Sequence, residues 1–431
     1  MLPGASDLVE LAIDGLGSDG DGVGRLADGR VVFVPRALPG DRVRVRLGAA
    51  RGRVQYGEMA DLVEPSPQRE PSRCEVEACG GCSLKTLSLD GHAEHKRQRL
   101  IETMRRIGRL DVRDRTAPLV SIGDGWRYRH RVRLHAEWAR GRWQLGYHQR
   151  GSHAVVPLSH CPVLWPELET AATELSLHLA PLGHGVRLRA VEIAYSRVDA
   201  TAAARVHVEG ELERGAAWVE EIVAATGLQG LAVFGPSVRA QAGESILRYD
   251  HARQQAFTLA FEPGLFTQAN PQVNDRLVTG VLQAVRPHFG IRVLEAHAGI
   301  GNFSLPMAAA GAVVIATESQ ARAVEFSRRN AAAAGLTLEH RVAVDADAAA
   351  TCGDVDAMLL DPPRVGARAA CEMLARMGPS RLVYVSCDPA TLARDAAILV
   401  GGGYTLASLE PYDMFPRTAH VEALGVFERT P

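Results

Sequence analysis

Three observations make the sequence an α/β protein built in parts. From about Gly264 onward a short apolar run, a glycine turn and a helix-like stretch recur, the pattern of a mostly parallel, Rossmann-like sheet. Leu8 to Glu64 reads instead as short alternating strands rich in glycine, valine and arginine, which suits a five-stranded barrel of the OB type. Between the two, short strand-like and helical stretches alternate, as in an α+β domain. The expected divisions are 1–64 for the barrel, 65–110 for a cysteine-rich loop and basic helix, 111–260 for the central domain and 261–431 for the sheet domain.

Composition narrows the class. With 46% hydrophobic and 23% charged residues, the 431-residue chain is an ordinary globular one, and its formal net charge of −2 indicates no partner by itself. The longest stretch without a charged side chain, Ala296 to Thr317, holds glycines, Asn302 and Pro306, so no membrane span is expected. Met1-Leu-Pro-Gly lacks the basic start and apolar core of a signal peptide. Seven unevenly spread cysteines point to a reduced, cytoplasmic protein rather than a disulfide framework. A monomer is expected.

In the barrel, "GRVVFVPRALPGDRVRVRL" splits into two strands at a Pro-Gly-Asp turn, and "RVRVRL" sends arginines to one face and apolar side chains to the other. Pro65, Pro67 and Pro71 mark a linker, followed by "CEVEACGGC". Cys74, Cys79 and Cys82 have the spacing C-x4-C-x2-C, with Cys161 following in "SHCP". Four thiolates suit an iron–sulfur cluster or a tetrahedral zinc, and spacing alone does not separate them. From His92 to Arg150 the chain carries fifteen Lys/Arg against six Asp/Glu. Within it, "WRYRHRVRLH" spaces Arg127, Arg129, Arg131 and Arg133 by two. On a strand all four guanidinium groups would leave one face, either a solvated edge or a surface for tracking nucleic-acid phosphates.

The last third carries the chemistry. "RVLEAHAGIGNF" is a strand that turns through Gly299 and Gly301, where the backbone can approach a ligand closely. A second strand ends in Glu318, placed to accept hydrogen bonds from ribose hydroxyls. A third candidate ends in Asp345, near where an adenine would lie. A fourth ends in Asp361-Pro-Pro-Arg364, a rigid turn that favours a methyltransferase using S-adenosylmethionine over a dehydrogenase. Amino-group methyltransferases usually follow such a turn with an aromatic residue, where Arg364 stands here. In "YVSCDPATLARD", Cys387 follows a buried strand, and Asp388 with Pro389 reads as a helix N-cap. A thiol beside a helix N-terminus is expected to have a lowered pKa.

"LFTQAN" (265–270), "GIGNF" (299–303), "DPPRVG" (361–366), "SCDPATLARD" (386–395) and "DMFPRTAHVE" (413–422) occur in the order of the RNA uracil-5-methyltransferase family, which the whole chain resembles. The N-terminal barrel resembles a TRAM domain, and the combination is similar to the branch that methylates 23S ribosomal RNA. The resemblance implies S-adenosylmethionine as cofactor, contacted by Gln268, Asn302, Glu318, Asp345 and Asp361. His297, within Glu295-Ala296-His297-Ala298, stands where the family has an aromatic ring that lines the cofactor site, so it too is implied to contact the cofactor. It also implies a [4Fe–4S] cluster on Cys74, Cys79, Cys82 and Cys161, with one residue fewer between the first two cysteines than in the ribosomal RNA enzymes. Cys387 falls on the nucleophile and Glu422 on the general base. The chemistry that follows is addition of a thiolate to carbon 6 of an extruded uracil, methylation at carbon 5, then removal of the carbon 5 proton. Two alternatives remain at this point: a transfer RNA substrate, or a non-catalytic RNA-binding protein on the same scaffold.

Overall fold

The computed structural model describes residues 8–429 apart from 53, 180–186, 210–215, 237–238, 252–256, 344–346, 348 and 350–353. Its first element is a closed barrel of β1 (Leu8–Leu16), β2 (Gly22–Arg25), β3 (Val31–Val34), β4 (Arg42–Arg51) and β5 (Val54–Glu64), in the order β1-β2-β3-β5-β4. The period of two works as the sequence implies: Val43 and Val45 are fully buried with Val32 and Val34, while the intervening arginines face outward. That outer face is not bare cation. Arg42 pairs with Glu10 and Glu64, Arg44 with Asp61 and Arg46 with Glu58 on neighbouring strands.

A second sheet forms the centre: β6 (Arg131–Ala139), β7 (Arg142–His148), β8 (Val155–Pro157), β9 (Arg187–Ser196), β10 (Thr201–Glu209), β11 (Gly230–Phe234) and β12 (Arg239–Gly243), in the order β12-β11-β10-β9-β6-β7-β8. Helices α2 (Pro166–His178) and α3 (Ala216–Thr226) cover one face, where Leu134, Leu145, Val191 and Val206 meet Leu168, Leu175 and Val219.

The C-terminal sheet runs β17 (Glu339–Val342), β16 (Val313–Glu318), β15 (Arg292–Ala296), β18 (Ala357–Leu360), β19 (Arg381–Ser386), β21 (Glu422–Glu428), β20 (Thr405–Tyr412). Pairing is parallel from β17 to β19, and β21 enters antiparallel between β19 and β20. Strand order reverses between β15 and β18, so a crevice opens there at the carboxyl ends of the strands. Helices α4 (Pro271–Val285), α5 (Ser304–Ala309), α6 (Ala321–Ala333), α7 (Arg368–Met377) and α8 (Pro389–Gly401) connect it.

The chain interleaves these bodies more than composition suggests. Helix α1 (Leu89–Arg106), expected beside the cysteine loop, buries Leu100, Ile101 and Met104 against Leu392, Ala393 and Ala396 of α8. Its Lys96 is fully buried and donates to Asp413 at 2.5 Å and to the Phe415 carbonyl at 3.1 Å. Thr116 and Val120 pair with Leu409 and Tyr412, extending the edge of the C-terminal sheet. The hairpin β13 (Leu247–His251) and β14 (Phe257–Phe261) packs Leu247, Leu259 and Phe261 on Ile300, Leu305 and Phe326. Among the described residues no helix is long and apolar enough to cross a membrane.

Candidate active site

One edge of the C-terminal sheet gathers residues from five strands. His297 follows β15, Glu318 ends β16, Asp361 follows β18, Cys387 follows β19 and Glu422 opens β21. Because β21 runs antiparallel, its first residue lies at the edge where its neighbours end. Asp345 lies outside the described residues.

At the β15–β16 end of this edge, Glu318 is held in place by backbone N–H groups of two turns. Its carboxylate accepts from Gly299 N at 3.1 Å and Gln320 N at 2.8 Å. Gly299 has φ +56, and a Cβ built there would meet open space, leaving room for a ligand against the turn. Asn302 exchanges amide hydrogen bonds with Asn274 at 2.8 and 3.1 Å, and its carbonyl accepts from His251 Nε2 at 2.6 Å. Glu295, fully buried beneath, accepts from the Ser304 hydroxyl, while its Oε1 has no hydrogen-bond partner. Burial pushes the Glu295 carboxyl up to about 8, with Asp361 and Glu318 adding to the rise. Ser304, Asn274 and His251 escaped the sequence reading, and Glu295 entered it only as part of Glu295-Ala296-His297-Ala298. Only the acidic residue closing an apolar strand was a visible signal, and it reads equally as a strand end.

Gln268 is placed by the central sheet. His130 Nε2 bonds its carbonyl at 2.9 Å, and Arg131 Nε donates to the Thr267 carbonyl at 2.6 Å. Asn270 then caps α4, accepting from Val273 N.

Cys387, Asp361, Arg364 and Glu422 act on one another electrostatically. Burial, then the Glu422 and Asp361 carboxylates, push the Cys387 thiol up to about 12, and Arg364 opposes them. The lowered thiol pKa expected from the helix N-terminus is therefore reversed: removal from water and two acidic neighbours outweigh it. Glu422, 4% exposed, is raised to about 8 by burial and then Asp361. Asp361 is raised to about 7 by burial, with His297 opposing and Glu318 adding. Asp388 does cap α8, accepting from Ala390 N and Thr391 N at 2.9 Å each. Buried Asp395, on the same helix, accepts from Ala367 N at 2.8 Å and the Tyr384 hydroxyl at 2.7 Å. It thereby ties the end of the Asp-Pro-Pro-Arg turn to the helix that follows Cys387.

A cleft of about 840 Å³ opens in front of Cys387. Its walls come from the barrel (Asp19, Tyr56), the cysteine loop (Gly81), the end of β7 (His148) and the sheet edge (Arg364, His420). The loop 413–421 is clamped from behind by Lys96 and by Arg417. Arg417 donates to Glu70, to the Leu87 carbonyl and to the Asp124 carbonyl. None of these clamps is visible in the sequence, since their partners lie about 300 residues away.

Cys74, Cys79, Cys82 and Cys161 line a single neighbouring cavity of about 480 Å³. Burial and the three other thiols all raise the Cys82 pKa, and Arg129 opposes them, so the four sulfurs lie within electrostatic reach of one another and of one cation. Four thiols around one cavity are a donor set that fits a tetrahedral zinc or an iron–sulfur cluster.

The four-arginine face is not what the structure builds. Strand β6 starts only at Arg131, and Arg127, at φ +51, breaks the extended alternation before it. Arg127 donates to Glu169 at 2.7 Å and the Leu164 carbonyl at 3.0 Å. Arg129 lines the cysteine cavity, and Arg131 holds the Thr267 carbonyl with its guanidinium 5.1 Å from the Phe266 ring centre. Of the four only Arg133 is exposed, paired with Glu192 at 2.9 Å.

Comparison with known proteins agrees with this geometry. The TRAM domain family matches residues 7–60, and the tRNA (Uracil-5-)-methyltransferase family matches 250–353 and 346–430. A Halomonas elongata protein named 23S rRNA (uracil(1939)-C(5))-methyltransferase RlmD is 35% identical, covering 97% of this chain and 89% of the relative. A protein of the same name from Pseudomonas entomophila is also 35% identical, over 97% and 93%. The Pyrococcus abyssi tRNA (uracil-54, C5)-methyltransferase, solved with S-adenosyl-L-homocysteine, superposes with a TM-score of 0.75 over 97% of this chain and 99% of that one at 24% identity, and so supports the fold. On this identity and coverage, the chain belongs to the S-adenosylmethionine-dependent RNA uracil-5-methyltransferases.

Proposed function

We propose that the protein methylates carbon 5 of a uridine in 23S ribosomal RNA, with Cys387 as nucleophile and Glu422 as base. The observation that carries this reading is the meeting of Cys387, Glu422, Asp361 and Arg364 at the sheet edge, in front of a cleft walled by the TRAM barrel. The substrate assignment rests on the names of relatives that match nearly end to end.

S-adenosylmethionine, when bound, supplies an electrophilic methyl group. Glu318, Asn302, Gln268, Asp361 and His297 are the described residues that would hold it, with Asp345 as a further candidate. The chain's own part begins with the Cys387 thiol. It gives up its proton to water in the cleft, and the sulfur adds to carbon 6 of the uracil, placing electron density on carbon 5. Arg364 is the cation that favours the thiolate. After methyl transfer, carbon 5 carries both methyl and hydrogen. Glu422 takes that proton, the carbon 6–sulfur bond breaks, and the thiolate leaves. Glu422 must be ionised for this step, and burial beside Asp361 makes it a carboxylate of unusual basicity.

A [4Fe–4S] cluster on Cys74, Cys79, Cys82 and Cys161 would act as a structural clasp. Cys79 pairs with Gln149, and Gly80 N donates to the His148 carbonyl at 3.1 Å, so the loop is also a wall of the catalytic cleft. The test of function is to map 5-methyluridine in 23S ribosomal RNA from a deletion strain. One site should lose its methyl group, regain it with the wild-type chain and stay unmodified with Cys387→Ala. Methylation restored by Cys387→Ala refutes the covalent route. Loss confined to transfer RNA refutes the substrate.

A further inference from the structure

Among the described residues the central sheet has helices α2 and α3 on one face, and the β13–β14 hairpin packs on Ala194 and Ala203 of the other. Its other face carries a groove of about 850 Å³ lined by Arg133, His135, His148, His153, Arg187 and Arg189. The groove lies in the part of the chain, 61–249, that neither matching family covers. Register places it: His135 pairs with Gly146 across β6 and β7, and Arg133 with Glu192 across β6 and β9, so both project away from the Leu134 and Val132 core.

The imidazoles form a short stack of rings, with a third ring set across it. His135 and His148 stack with ring centres 3.5 Å apart and planes 18° apart, and His153 stands edge-on to His148 at 5.3 Å. His153 is exposed, and the stacked pair is half-exposed. Around them sit three exposed arginines, with Glu137 as the acidic residue of the lining. Arg133 and Arg189 are paired to Glu192 and Glu209, but both guanidinium groups are more than half exposed, so solvent screens these pairs. A phosphate can take such arginines over. His148 borders both this groove and the cleft in front of Cys387, so the two are neighbours.

We infer that this groove is a track for single-stranded RNA flanking the target uridine, with a base stacked on the His135–His148 platform and phosphates held by Arg133, Arg187 and Arg189. The inference rests on the RNA methyltransferase reading and extends it to the substrate beyond the reacting nucleotide. Cationic grooves with π-faces are how sequence-tolerant single-strand binding is built, and bases stack on imidazole as on other aromatic rings. His135 is kept below the ordinary imidazole pKa by burial, then by His148 and Arg133. At pH 7.5 it therefore offers a stacking face rather than a charge. The arginines supply the charge, and the two contributions separate by their salt dependence.

The test uses the full-length protein and fluorescent oligouridylates of 6 and 20 nucleotides. The short probe spans the catalytic cleft and the long one reaches the groove. Arg187→Ala/Arg189→Ala should weaken the 20-mer about tenfold, leave the 6-mer unchanged, and flatten the plot of log K against log salt by about 1.4, at ~0.7 per single-strand phosphate. His135→Ala should weaken the 20-mer about fivefold with the slope unaltered. Unchanged 20-mer affinity and slope in the double arginine variant overturn the inference. So does an equal or greater loss on a 20-base-pair duplex, which would make the groove a double-strand or shape reader. Wild-type methyl transfer is scored separately. Its absence counts against the activity, while the salt slope still decides the groove.

Discussion

Replacing Glu422 by Gln keeps the side chain's shape and removes its ability to take a proton. The structure sets the size of the effect. Burial and Asp361 lift the Glu422 carboxyl to about 8, so it is neutral below that pH and ionised above it. Roughly one molecule in ten carries the base at pH 7 and roughly nine in ten at pH 9. If removal of the carbon 5 proton limits turnover, the wild-type rate rises about tenfold over that interval and then levels off. A limiting attack by Cys387, whose thiol stands at about 12, would instead keep climbing about tenfold per pH unit without an inflection near 8. Glu422→Gln should remove the inflection and cost about 10²–10⁴-fold in turnover. It should not slow attack, because the Glu422 charge is the second largest cause, after burial, holding the thiol protonated. A methylated protein–RNA adduct should therefore accumulate. Single-turnover methylation with methyl-labelled cofactor between about pH 6 and pH 10, followed by denaturing electrophoresis, reads both quantities. A Glu422→Gln protein that turns over at the wild-type rate, or one that never forms an adduct while RNA still binds, refutes the assignment.

Three further outcomes are expected. Lys96→Met leaves Asp413 buried without its cation and should cost about 3–5 kcal/mol in denaturant unfolding; a loss under about 1 kcal/mol would mean water reaches the site. Glu295 is raised from 4.5 to about 8, so the folded state holds its proton while the unfolded chain has lost it, and stability falls as pH rises through that window. At about 1.4 kcal/mol per pH unit the cost is about 5 kcal/mol above pH 8; Glu295→Gln should flatten the fall in melting temperature from pH 6 to pH 9, and parallel curves would contradict this. Anaerobically purified protein should be brown and hold about four iron atoms per chain, as a cubane on four thiolates requires. Stoichiometric zinc without iron would exclude the cluster.

The sequence by itself determined what is local. Alternation in "RVRVRL" placed Val43 and Val45 in the barrel core, the Asp-Pro step placed the start of α8, and five ordered motifs specified the family. These depend on a residue's near neighbours, where period, capping and turn chemistry act. Tertiary structure decided the rest. "WRYRHRVRLH" has a perfect period of two, yet Arg127 takes a left-handed turn and its guanidinium binds Glu169, because local alternation cannot show that the cysteine cavity and α2 compete for that segment. The basic helix α1 proved to be a wall of the C-terminal core, anchored by Lys96 to Asp413, 317 residues away. The sign of the Cys387 pKa shift also lay beyond the sequence. A helix N-terminus is local and favours the thiolate, but burial and the Glu422 and Asp361 charges arrive from other strands, and together they prevail.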